Sequence, residues 1–280
     1  MKTPPANTSL TIGVFDSGFG GLTVLRSLLP LIPAADYIYL GDTARLPYGS
    51  KSRETISRYA VSSARFLQDQ GADLLVIACN TATALALEDI QQALPIPVIG
   101  VVQPGAQAAL ASSKQADPPH VLVLATAATV QSHAYAHALT TLGLGACEKA
   151  CPLLVPLVEE GWIDHPVTDE VLKIYLQEAL AEAPAAQTLL LGCTHYPLLE
   201  PAIRRTLAAL GHPLTIIDSA NATAQATAKL VAASFPNVLV AAPKPTCTFY
   251  ATDSIEKFQR LGTRFLGHPL DKVNLLDLGG

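Results

Sequence analysis

Short apolar, β-branched runs alternate with longer Ala- and Leu-rich stretches along nearly the whole chain. The runs that read as strands are residues 10–15, 37–41, 73–78, 98–102, 120–125, 188–192, 214–218 and 237–241. They are apolar without strict alternation, so both faces of each strand are expected to be covered, as in a parallel sheet. Between them, residues 52–70, 81–92, 129–141, 168–183, 198–210 and 221–234 have helical length and spacing. Several of these open on Ser, Thr or Asn, whose side chains satisfy the free N–H groups of a first helical turn. The alternation predicts an α/β fold with parallel sheets.

The pattern also repeats. L-V-I-A-C-N-T-A (75–82) resembles L-L-L-G-C-T-H-Y (189–196): an apolar run, a small residue, Cys, then a hydroxyl-rich turn into a helix. The preceding strands correspond as well, 12–16 running into Asp-Ser and 121–126 ending in Ala-Thr. After each Cys come a helix and another apolar strand, 98–102 in one half and 214–218 in the other. Three matched elements in one order, offset by about 110 to 116 residues, predict two similar parallel-sheet lobes. A pseudo-twofold duplication would relate them and leave the active site between them. The chain continues beyond what one repeat needs, so it is expected to return to the first lobe. The expected division is 1–100 plus 212–280 for a discontinuous first lobe, and 101–211 for the second.

Composition narrows the class. Of 280 residues half are apolar and 15% are charged, the reverse of a disordered chain. Eighteen basic against 23 acidic side chains give a net charge of −5, and no Lys/Arg-rich run is present. A nucleic-acid groove or an anionic membrane surface is therefore a poor partner. The first ten residues lack the apolar stretch of a secretory signal, and no uninterrupted apolar run reaches the ~20 residues that span a bilayer. The expected location is the cytoplasm. Five cysteines, an odd number, argue against a disulfide framework. Cys147 and Cys151 form C-x3-C with no second ligand pair at zinc spacing, so no metal is expected, and they and Cys247 read as plain buried thiols.

In open parallel sheets ligands bind beyond the carboxyl ends of the strands. The polar residues cluster there: Asp16-Ser17-Gly18-Phe19-Gly20-Gly21, Gly41-Asp42-Thr43 with Pro47-Tyr48-Gly49, Cys79-Asn80-Thr81, Thr126 to Thr129, and Cys193-Thr194-His195-Tyr196-Pro197. The glycines near Asp16 do not make G-x-G-x-x-G and no phosphate-loop lysine follows. Such a turn can present backbone N–H groups to a carboxylate; a tight strand-to-helix turn explains the glycines equally well. A Cys at a helix N-terminus is expected to have its thiolate favoured and its pKa lowered. One such Cys is ordinarily just a small buried residue. Two at duplicated positions, Cys79 and Cys193, point to chemistry. If the lobes face each other, each thiol can stand ~3 Å from one shared carbon, with the two ~6–7 Å apart. That is too far for a disulfide, whose S–S length is ~2.05 Å. One thiolate on each face of a carbon can remove a proton and return one from the opposite side. That inverts a stereocentre without a redox cofactor.

The D-S-G-x-G-G turn, G-D-T-A-R-x-P-Y-G (41–49), A-C-N-T-A and G-C-T-H-Y-P resemble glutamate racemase, as do C-P-L-x-V-P-L-V-E (151–159) and the late F-Y-x-T-D stretch. The resemblance covers roughly residues 10–267. Ala125 departs from it, standing where many members have glycine before the Thr. The resemblance implies a cofactor-independent homodimer that supplies D-glutamate for peptidoglycan. It implies Cys79 and Cys193 as the acid/base pair, Cys79 acting on the D-isomer and Cys193 on the L-isomer. Asp16 would assist Cys79 and His195 would assist Cys193. Ser17, Asn80, Thr81 and Thr194 would hold the α-ammonium and α-carboxylate, and the backbone N–H groups of Tyr48 and Gly49 the side-chain carboxylate. Asp42 and Glu159 match acidic positions near the site; Glu159 reads equally as a solvated loop carboxylate, and His195 as a structural imidazole. Alternatives are an aspartate racemase of the same superfamily, a hydrolase using Cys193 with His195, and an amino-acid-binding module. The hydrolase gives Cys79 no task, and the binding module has no need of paired thiols.

Overall fold

The computed structural model describes residues 10–112, 120–236 and 245–279. The strands are β1 (Leu10–Asp16), β2 (Ala35–Gly41), β3 (Leu74–Ile77), β4 (Val98–Gly100), β5 (His120–Ala125), β6 (Gly145–Ala150), β7 (Ala186–Gly192), β8 (Thr215–Asp218), β9 (Cys247–Ala251) and β10 (Val273–Leu275). The helices are α1 (Leu22–Leu28), α2 (Arg53–Asp69), α3 (Asn80–Ala93), α4 (Val102–Ser112), α5 (Ala127–Gln131), α6 (Ala134–Thr141), α7 (Leu154–Glu159), α8 (Pro166–Glu182), α9 (Glu200–Ala209), α10 (Ser219–Ser234) and α11 (Ile255–Leu266). No helix among the described residues is long and apolar enough to cross a membrane.

The strands form two sheets, ordered β10-β9-β2-β1-β3-β4 and β6-β5-β7-β8. Every pairing is parallel. The order β2-β1-β3-β4 in the first sheet matches β6-β5-β7-β8 in the second, so the duplication extends to four strands. The fourth matched strand, β6, was missed because Gly145–Ala150 carries Glu148 and Lys149 and none of its residues is fully buried. The returning segment adds β9 and β10 to the first sheet, with α11 between them in the chain, none of them expected from the sequence, while the expected strand at 237–241 lies outside the described residues. Strand β8 pairs with β7 in the second sheet. The sequence division at 212 had assigned it to the first lobe, although its own repeat alignment placed it opposite β4; pairing follows the repeat.

Two helices also differ. The stretch at 129–141 breaks into α5 and α6 at His133, which takes a left-handed conformation with φ of 54°. The one at 198–210 starts with a 3-10 turn, Tyr196–Leu199, before α9.

Alternate residues of each strand feed opposite faces. Ile12 and Val14 of β1 with Leu74 and Val76 of β3 point into one cluster, and Phe15, Leu75 and Ile77 into another under α2 and α3. In the second sheet, Leu122 and Leu124 join the first of these clusters, while Val121, Val123 and Ala125 pack with α4 and α6. One core is therefore shared between the sheets, and it holds their carboxyl ends toward a common space.

One close junction between the lobes lies at that end. Thr23 of α1 donates its hydroxyl to the Gly20 carbonyl at 2.8 Å and to the Thr194 carbonyl at 3.1 Å. A Cβ on Gly20 would lie 2.1 Å from Thr194 Oγ1 and 2.6 Å from His195 Nδ1. Only a residue without a side chain lets the turn after β1 approach the turn after β7 this closely. Gly20→Ala is expected to cost about 1–3 kcal/mol of stability by overpacking, read as a shift of the denaturant midpoint at unchanged slope.

Candidate active site

Cys79 follows β3 and caps α3: the Ala82 N–H donates to Sγ at 3.4 Å, and the thiol donates to Ser17 Oγ at 3.4 Å. Cys193 occupies the matching place after β7, but a 3-10 turn follows it, so it caps no α-helix. An imidazole stands there instead, with His195 Nδ1 4.0 Å from Cys193 Sγ and 3.4 Å from Thr194 Oγ1. His195 Nε2 lies 3.3 Å from Glu159 Oε1, and Glu159 Oε2 lies 3.6 Å from Lys257 Nζ. The edge of Phe265 packs against the imidazole, ring centroids 4.9 Å apart.

Both thiols open on one cavity of about 490 Å3, which Ser17, Tyr48, Gly49, Asn80, Thr81, Thr194, His195 and Glu159 also line. Asp16 and Asp42 are fully buried outside that lining. The Gly18 N–H donates to Asp16 Oδ2 at 2.9 Å, while Asp16 Oδ1 has no hydrogen-bond partner among the described residues. Asp42 acts through Tyr48: its Oδ2 accepts from the Tyr48 hydroxyl at 2.6 Å, its Oδ1 from Thr252 at 2.9 Å, and Arg45 flanks it at 3.4 Å. A depression on the outer face of α2, about 900 Å3 and lined by Arg53, Arg58, Arg65 and Asp89 among others, contains neither thiol.

Three further residues belong to this region. Thr126 caps α5 and shares a hydroxyl network with Thr81 at 3.0 Å and Thr129 at 2.9 Å, across the two lobes. The sequence showed Thr126 only as part of a polar turn. Tyr135 donates to Asn80 Oδ1 at 2.6 Å, which turns the amide so that Asn80 Nδ2 is left buried without a partner among the described residues. A tyrosine inside an Ala-rich helix gave no signal for that. Lys257 lines the cavity from α11, a helix the sequence did not reveal.

Burial dominates the electrostatics. The sequence led us to expect lowered thiol pKa values; the structure shows the opposite. Desolvation, then the nearby Asp16 carboxylate, push the Cys79 thiol up to about 11 against the weaker help of Ser17 and the Ala82 N–H. Cys193 is pushed up further by burial, with Cys79 and Asp16 adding to the effect and a backbone bond from His195 opposing it. Helix-end dipoles act within one turn and cannot offset complete desolvation of a thiolate. Burial likewise raises Asp16, opposed mainly by His195. Burial opposes charge on Glu159 too, but hydrogen bonds and attraction from His195 and Lys257 prevail and hold it below the usual carboxylate range. Burial thus pushes both thiols and Asp16 toward their neutral forms, while Glu159, paired with His195 and Lys257, keeps its charge favoured.

The Asp/Glu/hydantoin racemase family model matches residues 12–227. The glutamate racemase of Koribacter versatilis (strain Ellin345) is 52% identical, covering 96% of this chain and 98% of its own. That of Syntrophus aciditrophicus (strain SB) is 45% identical, covering 95% and 96%. Among solved structures, the glutamate racemase of Francisella tularensis subsp. tularensis SCHU S4 in complex with D-glutamate superposes with a TM-score of 0.86, at 35% identity over 97% of this chain and 98% of that one. Duplicated parallel sheets, a paired-thiol cleft and about half-identical relatives aligned over nearly the full length agree: the chain is an amino-acid racemase of the Asp/Glu/hydantoin racemase family and belongs with its glutamate racemases.

Proposed function

We propose that the protein interconverts L- and D-glutamate by proton transfer between Cα and two thiols, Cys79 on one face and Cys193 on the other. The observation that carries this reading is that the duplicated cysteines reach one cavity from two different sheets. One cysteine acts as thiolate and takes the α-proton, leaving the electron pair on Cα and its carboxylate. The opposite thiol then gives its own proton to the other face and becomes the thiolate for the return reaction. Protons and charge balance within each turnover.

The unpartnered polar atoms suit this substrate. A buried donor, Asn80 Nδ2, and a buried acceptor, Asp16 Oδ1, each call for a partner. A substrate α-carboxylate answers the first, together with Thr81 and Thr194, and an α-ammonium answers the second, together with Ser17. The backbone N–H groups of Tyr48 and Gly49 would take the side-chain carboxylate, with Asp42 fixing the Tyr48 ring through its hydroxyl. Asp16 lies electrostatically close to Cys79 and His195 lies beside Cys193, so each thiol has its own assistant. Closure of the lobes over the substrate would exclude water, so that these preorganised donors stabilise the carbanion in a low dielectric. The named relatives, glutamate racemases by description and one of them in complex with D-glutamate, favour glutamate as the substrate. We place this activity in the cytoplasm, in a homodimer supplying D-glutamate to peptidoglycan, on the strength of the same family.

Cys79→Ser and Cys193→Ser are each expected to lower kcat by about 10²–10⁴-fold, the usual worth of a positioned acid or base. The readout is circular dichroism of glutamate, with unfolding midpoints as a control on the fold. Incubation with L-glutamate in D2O should place deuterium at Cα as chirality is lost; release of ammonia instead would mean hydrolysis.

A pH dependence follows from the buried thiols. Because burial pushes Cys79 up to about 11, its thiol is largely protonated at neutral pH in the free enzyme, and the thiolate fraction grows as pH rises. The logarithm of kcat/KM is expected to climb with a slope near one between about pH 7 and 9. A flat profile would mean that one thiol is already ionised before substrate binds.

A further inference from the structure

Helix α11 has no counterpart in the duplicated plan, yet one face of it is docked on the acid/base machinery. Lys257, Arg264 and Phe265 lie seven and eight positions apart and so share a side of the helix. Arg264 Nη1 donates to the carbonyls of Val158 at 2.9 Å and Glu159 at 3.5 Å, gripping the end of α7. Gly161, at φ of 85°, leaves room for that guanidinium, because a Cβ there would lie 2.8 Å from Arg264 Nη2. Phe265 presses its edge on the His195 ring. Lys257 completes the set: its ammonium lies 3.6 Å from Glu159 Oε2 and 5.4 Å from the centre of the Phe19 ring, in the turn that carries Asp16 and Ser17.

We propose that Lys257 is a positioning residue for the Cys193 half of the reaction, holding the Glu159 carboxylate against His195 and thereby seating the imidazole behind Cys193. The inference rests on the two-thiol reading above and extends it by one residue, so that Lys257, Glu159, His195 and Cys193 form a line from the surface to the reacting carbon. The charged and titratable groups facing Glu159 are His195, Lys257 and, further off, Asp16. Arg264 faces it only through its bonds to backbone carbonyls.

An ion pair at the surface is worth little, and the Lys257 side chain is 46% exposed. Its partner decides otherwise. The Glu159 side chain is only 18% exposed and is already committed to His195, so removal of the ammonium leaves a poorly solvated carboxylate with one partner rather than two. Among the described residues no such line runs to Cys79, whose thiol is served by Ser17 and the Ala82 N–H. Loss of Lys257 should therefore slow proton transfer at one thiol and leave the other unaffected.

The equilibrium between enantiomers is fixed, so kcat/KM must fall equally in both directions, and the asymmetry has to be read in isotope effects. Wild type, Lys257→Met and Lys257→Arg are assayed by circular dichroism with each enantiomer carrying hydrogen or deuterium at Cα. For Lys257→Met, kcat is expected to fall about threefold to tenfold with KM changed less than about twofold. The primary isotope effect on kcat should rise for one enantiomer only, the one deprotonated by Cys193. Lys257→Arg should return kcat to within about twofold of wild type, since either cation can pair with Glu159. A rise in KM alone would overturn the proposal and make Lys257 a ligand for a substrate carboxylate. Isotope effects that change alike for both enantiomers, or an arginine variant no better than methionine, would overturn it as well and reduce the pair to a structural tie. Failure of the wild type to racemise glutamate is a separate result, and would remove the two-thiol reading itself.

Discussion

Charge is expensive in the cleft between the two sheets, and the arrangement of the site follows from that cost. Two thiols and Asp16 are shielded from water so completely that each is pushed toward its neutral form. The phenols of Tyr48 and Tyr135 are raised by burial in the same way, so both remain donors, one to Asp42 and one to Asn80. Glu159 alone among these groups keeps its charge favoured, because His195 and Lys257 compensate it. A site built this way needs little reorganisation of water when charge develops within it, since the polar groups are already aimed and already dry. It also suits a zwitterionic substrate, which brings opposite charges that can compensate each other as Glu159 is compensated by His195 and Lys257.

The close approach at Gly20 is what turns two sheets into one site. Thr23 ties the first lobe to the Thr194 carbonyl, and the missing side chain at Gly20 lets Thr194 and His195 sit against the turn that carries Asp16. The hydrophobic cluster common to both sheets lies beneath it, so the turn after β1 and the turn that carries Cys193 are held against each other. The packing constraint thus falls on the residues immediately after Cys193.

Much of this was legible in the chain. Buried parallel strands are continuous apolar runs, so β1, β3, β5 and β7 stood out, and the polar residues that follow them marked the cleft. Repetition of A-C-N-T and G-C-T-H exposed the paired thiols because a duplicated motif is improbable by chance. What failed to show has equally definite causes. Edge strand β6 carries charge and lacks an apolar run, and β9, α11 and β10 lie in a segment with no repeat to align against. The direction of the thiol pKa values was misjudged because sequence reveals a helix start but not the completeness of burial. Lys257 and Tyr135 act across long separations in the chain, and nothing local distinguishes a lysine on an amphipathic helix from any solvated one.

The duplication is imperfect at the place where it matters most. One sulfur caps an α-helix and touches a serine, whereas the other faces an imidazole backed by a carboxylate. Left- and right-handed substrates therefore meet different surroundings in a protein whose backbone plan is nearly the same on both sides. Thermodynamics still requires the final mixture of mirror images to be even. The unequal halves can govern only how each hand is held and how long it waits, which leaves selection free to tune affinity for one enantiomer without ever biasing the product.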